Sequence, residues 1–126
     1  MEEIIDTNII LRYLVRDVEP LYKKAVEIFK EAEKRKRKII VKPLIIAEAC
    51  FVLESFYKKH REEIADSLEV FLSQNWLKVE ERDTMLNLWF WYRKNLHFVD
   101  SYLLSWAKIN ESKILSFDQK LIKNLN

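Results

Sequence analysis

Short β-branched runs alternate with longer stretches whose apolar residues recur at helical spacing, and this alternation constrains the fold more than any other feature. Glu3-Ile4-Ile5, Ile39-Ile40-Val41, Trp76-Leu77-Lys78-Val79-Glu80 and Lys113-Ile114-Leu115-Ser116-Phe117 read as strands. Helical patterns lie between them. Ile9 to Val15 forms the first, and Pro20 opens the second at a position that needs no amide hydrogen, followed by Leu21, Ala25, Ile28, Phe29 and Ala32. Pro43 opens a third, Leu44 to about Tyr57, and Arg61 to Ser73 carries Ile64, Leu68 and Phe71 on one face. Asp83 is placed to cap a helix running through Met85, Leu88 and Trp89 to Lys94. A further helix from Asp100 turns Leu103, Leu104 and Ala107 inward, and a short one closes the chain. Strands separated by helices predict an α/β fold with a parallel sheet covered on both faces, whose sites lie beyond the carboxyl ends of the strands.

Length and composition narrow the function classes. The 126 residues suit one domain, residues 1–126, with no linker or repeat inside it. There is no glycine, so a glycine-rich phosphate cradle cannot be built. A single cysteine, Cys50, cannot close an intrachain disulfide, and its place in an apolar helix reads as core packing. No apolar stretch reaches the roughly 18 residues that span a bilayer, and the Met-Glu-Glu opening lacks a signal-peptide pattern. The expectation is a cytoplasmic protein with no membrane partner. Net charge is only +2, but Lys34-Arg35-Lys36-Arg37-Lys38 is an uninterrupted basic run, either a solvated helix end or a contact for RNA or a partner.

Carboxylates carry the chemical signal. Asp6 follows the first strand and Asp118 the fourth, so both fall at the carboxyl edge of the predicted sheet. Asp100 precedes an apolar helix. Each of these also fits the simpler role of helix N-cap. Glu48 has no such explanation, because Leu44, Ile45, Phe51 and Val52 surround it one turn away and predict an apolar, buried setting. A buried carboxylate requires either a basic partner or a cation. If the four acids converge, a divalent cation resolves their mutual repulsion. All-oxygen ligation, with His60 and His97 not at metal-ligand spacing, favours Mg²⁺ or Mn²⁺ over zinc. Such a cluster suits phosphodiester hydrolysis. Asp6-Thr7-Asn8 lacks the second Asp, two residues on, that a haloacid-dehalogenase-type phosphatase needs.

Four segments in series resemble the PIN domain family. Ile4-Ile5-Asp6-Thr7-Asn8 is similar to its opening, and Glu48 stands where that family has a helical glutamate. Phe98 to Ala107 resembles its third motif, and Ile114-Leu115-Ser116-Phe117-Asp118 its fourth. The resemblance implies a three-layer α/β/α sandwich around a small, four- or five-stranded parallel sheet. It implies an acidic quartet of Asp6, Glu48, Asp100 and Asp118, holding one or two Mg²⁺ or Mn²⁺ ions for endonucleolytic cleavage of RNA. Thr7, Asn8 and Ser116 would be supporting residues. The single-domain length looks most like VapC-type toxins, typically homodimers neutralised by a small VapB-type antitoxin. Family members usually carry a glycine shortly before the fourth strand. Here the stretch is Asn110-Glu111-Ser112-Lys113, and Asn110 is expected to take the left-handed conformation instead.

An RNA track needs cations near the acids. Arg12 and Arg16 lie one turn apart after Asp6, Lys42 precedes the Glu48 helix, and Arg93 and Lys94 precede Asp100. Each is a possible RNA contact or a solvated surface residue. The run Trp89-Phe90-Trp91-Tyr92 cannot be buried on one side only, which favours an interface with a second protein over base stacking. The alternative to a nuclease is a non-catalytic PIN-like module that binds RNA or protein.

Overall fold

The computed structural model describes residues 1–125. Three strands, β1 (Glu2–Ile4), β2 (Lys38–Val41) and β3 (Leu77–Val79), form a parallel sheet in the order β1-β2-β3. Glu3 pairs with Ile39 and Ile40 with Lys78, and the ladder runs past β1 through Ile5 N–H to Ile40 C=O at 3.1 Å. The first crossover is α1 (Thr7–Val15) and α2 (Glu19–Glu33); the second is α3 (Pro43–Ser55) and α4 (Arg61–Leu72). Beyond β3 come α5 (Arg82–Asn87), α6 (Trp89–Tyr92), α7 (Phe98–Ile109) and α8 (Gln119–Lys123). The α/β architecture with helices flanking a parallel sheet is the one predicted. Among the described residues no helix is long and apolar enough to cross a membrane.

The predicted fourth strand does not form among the described residues. Residues 113–117 run without a ladder partner, and Leu115 and Phe117 are fully exposed. Alternation suits a strand but does not ensure pairing, and this segment leaves the free edge of β1 unused. Here Ile114 packs instead into a small second core with Trp91, Leu104 and Leu121, between α6, α7 and α8. The outer edge of β1 therefore stays open.

The aromatic run also settles differently from expectation. Trp89 and Tyr92 enter the main core, Trp91 enters the second, and only Phe90 is exposed. Two separate cores on opposite sides of one helical turn bury rings that a single core could not. Leu103, expected to face inward, is partly exposed, whereas Leu104 and Ala107 are buried. Asp83 does not cap α5; that place is taken by Glu81.

Without glycine, six other residues among those described adopt the left-handed conformation: Arg16, Arg35, Lys58, Glu81, Asn95 and Glu111, each in or near a helix-terminating turn. For such residues the conformation costs about 1–2 kcal/mol. Before residues 113–117 the residue concerned is Glu111 (φ 53°), not Asn110 (φ −98°). Asn110 is instead the last link of α7, its side-chain amide donating to Trp106 C=O at 2.9 Å.

Candidate active site

The carboxyl end of β1 leads directly into the N-terminus of α1, and Asp6 occupies the junction. Its backbone is extended (φ −92°, ψ 155°), and Oδ1 accepts the Thr7 N–H at 2.7 Å. Thr7 is buried, and its hydroxyl donates to Oε1 of Glu48 on α3. Thr7 thereby links the two acids, through its backbone to one and its side chain to the other. Packing of α1 against α3 makes that link possible.

A cleft of about 320 Å³ opens here, lined by Asp6, Thr7, Asn8, Leu11, Arg12, Glu48, Val52, Phe56 and Tyr57. One end is acidic. At the other, Asp17 ties two lining residues together: Arg12 Nη1 lies 3.2 Å from its Oδ1, and the Tyr57 hydroxyl donates to its Oδ2 at 2.9 Å. Desolvation pushes the Asp17 carboxyl up, but the hydrogen bonds from Tyr57 and Arg12 outweigh it and hold the group below the usual range.

Glu48 is not buried, contrary to the sequence expectation. Helix α3 is apolar nearly all round, and a helix in a small domain buries only one stripe. That stripe is Ile46, Ala49, Cys50 and Leu53, so Leu44 (79% exposed) and Phe51 (67% exposed) face outward with Glu48. Neither Glu48, Asp6, Asp100 nor Asp118 joins an ion pair among the described residues.

Asp100 and Asp118 do not line this cleft. Asp100 stands in the first turn of α7, which His97 caps in its place. Asp118 caps α8 through Oδ1, which accepts Lys120 N–H at 3.0 Å and Leu121 N–H at 3.2 Å. Ser116 supports it by accepting the Asp118 N–H at 2.9 Å. Among the described residues, no group of three or more His, Cys, Asp or Glu comes together as a metal site. The convergence of all four acids is not seen in this arrangement. Residues 113–117, the segment expected to carry Asp118 to the sheet edge, have no strand partner among the described residues.

The five basic residues fare unequally. Arg12 lines the cleft. Arg16 pairs with Glu19 at 2.9 Å and stacks on Tyr22, and Lys42 pairs with Glu80 at 2.7 Å. Arg93 is held on α4 by Glu62, Asp66 and Glu69, and Lys94 lies over the Phe90 ring. The basic run at 34–38 leads into the start of β2, at the opposite end of the strands from Asp6, with Arg37 bound to Glu3 and Glu31. Cys50 is a core residue whose thiol burial pushes up, away from nucleophilic reactivity.

Sequence reasoning passed over two carboxylates at the same sheet edge. Glu80 N–H continues the ladder to Val41 C=O at 3.1 Å, and Glu81 follows with φ 54°, accepting the Tyr102 hydroxyl. The signal was available: both directly end or follow the third predicted strand, where the carboxyl-edge rule directs the search. Tyr57 and Phe56 were missed because only tertiary packing brings them to Asp6.

A model of the PIN domain family matches residues 4–125 of the chain. Comparison with curated proteins and with solved structures finds no match.

Proposed function

The chain belongs to the PIN domain family, and from that premise we propose that it is a metal-dependent endoribonuclease, the toxin of a toxin–antitoxin pair. PIN domains are generally nucleases. The observation that carries the reading is the Thr7 bridge, which holds two carboxylates, Asp6 and Glu48, in one open cleft without a cationic partner. Each of the two carboxylates keeps one oxygen outside the bridge.

That donor set fits Mg²⁺ or Mn²⁺, which take oxygen ligands and tolerate several waters. Asp6 and Glu48 would hold the ion, with Asp100 and Asp118 as further acids of the set. When bound, the ion supplies water activation and charge neutralisation at a phosphoryl group. The chain's own residues do the rest. Thr7 fixes the Glu48 carboxylate, Asn8 offers an amide at the cleft, and Arg12 offers its guanidinium to a backbone phosphate. Exposed Leu44, Phe51 and Val99 on α3 and α7 support a protein partner, a second copy or a VapB-type antitoxin.

Purified protein with Mn²⁺ should cleave RNA, and Asp6→Asn or Asp100→Asn should abolish cleavage while the protein stays folded by circular dichroism. Retained cleavage by Asp6→Asn counts decisively against the proposal. A second reading, a non-catalytic RNA- or protein-binding module, is favoured by the separation of Asp100 and Asp118 from the cleft. Binding that persists in EDTA, with no cleavage after Mn²⁺ addition, supports that alternative.

A further inference from the structure

We infer that Phe56 is a stacking platform for an unpaired base of the RNA strand whose backbone enters the Asp6–Glu48 cleft. The inference rests on the nuclease reading above and names the form of RNA the site accepts. Glu48, Val52 and Phe56 follow one another at four-residue intervals, so all three lie along one face of α3 and its C-cap and line the same cleft. Eight residues of helix place Phe56 about 12 Å from Glu48 along the axis. The ring therefore meets a base flanking the cleaved linkage, not the linkage itself.

Phe56 is 73% exposed, although phenylalanine is ordinarily buried. It is nonetheless well held. Its N–H donates to Val52 C=O at 2.9 Å, and its ring stands perpendicular to Tyr57, centroids 4.9 Å apart. Tyr57 is in turn bonded to Asp17, which also holds Arg12. One connected set thus fixes an apolar ring and a guanidinium in a single cleft. A cation for the phosphate beside a ring for the base is the combination that binds single strands, and stacking requires a base free of its partner.

The test measures binding of a short dye-labelled oligouridylate, and of an RNA duplex of equal length, by anisotropy in EDTA so that nothing is cleaved. Phe56→Ala should weaken oligouridylate binding about 5- to 150-fold. Phe56→Trp should restore it, duplex binding should be unchanged, and Phe90→Ala, an exposed ring away from the cleft, should bind as wild type. Unchanged oligouridylate binding by Phe56→Ala overturns the inference, as does an equal loss for the duplex. So does a change from dimer to monomer on sedimentation with RNA binding intact, which would make the ring a protein contact. Cleavage in Mn²⁺ separates the two readings. If Asp6→Asn is inactive but Phe56→Ala binds normally, only the stacking role falls. If wild type never cleaves yet binding depends on Phe56, only the nuclease reading falls.

Discussion

The Thr7 hydroxyl donates to the carboxylate of Glu48, 41 residues further along the chain. A single small side chain thus sets the orientation of a carboxylate that packing leaves exposed. Because Thr7 also donates its N–H to Asp6, the spacing of the two acids depends on one residue.

Thr7→Val keeps the shape of this buried side chain and removes only the donor. Cleavage should fall tenfold or more. Stability should drop by about 1 kcal/mol, the net worth of one hydrogen bond. Thr7→Ser should restore cleavage. Rate and melting temperature measured on the three proteins decide it, and full activity in Thr7→Val would show that the bridge does not position Glu48 for the reaction.

Mn²⁺ should raise the melting temperature. An ion present at 100 times its dissociation constant stabilises the folded state by about 2.7 kcal/mol. Asp6→Asn and Glu48→Gln should each remove most of that rise. An unchanged wild-type melting temperature at millimolar Mn²⁺ would mean that the two carboxylates do not hold a cation.

Acid should loosen the arginine end of the cleft before the domain unfolds. The folded-state pKa of Asp17 lies below its unfolded value, despite desolvation, because Tyr57 and Arg12 hydrogen-bond the charged form. Its contribution to stability is therefore complete above the ordinary aspartate range, about pH 4. It is lost as pH falls through the lower folded value. Comparing melting temperatures of wild type and Asp17→Asn from pH 7 to pH 3, the difference should be constant above pH 5 and shrink below pH 4. A difference that grows with falling pH would contradict the assignment.

Glu111→Gly should stabilise the protein by about 1 kcal/mol, since glycine adopts the positive φ of that position without the penalty that a side chain incurs. Asn110→Gly should do the reverse, because Asn110 is not left-handed and loses its bond to Trp106 C=O. Urea unfolding of the two variants distinguishes them; stabilisation by Asn110→Gly alone would place the left-handed turn one residue earlier.

Local periodicity predicted four short strands alternating with helices, and three of them form, because β-branched runs and helical stripes are properties of neighbouring residues. It likewise placed Asp6 after the first strand, where the carboxyl-edge rule made it a site residue. Only the tertiary structure decided which side of α3 is buried. Glu48 is flanked by apolar residues in either orientation, and the choice depended on what α1 and α4 press against the helix. Tertiary contacts also decided the fate of residues 113–117. Their alternation suits a strand, but Ile114 packs into the second core and the segment does not pair with the free edge of β1. Of the cleft's far wall the sequence offered only Arg12: Asp17 and Tyr57 join it through folding and share no local pattern with it.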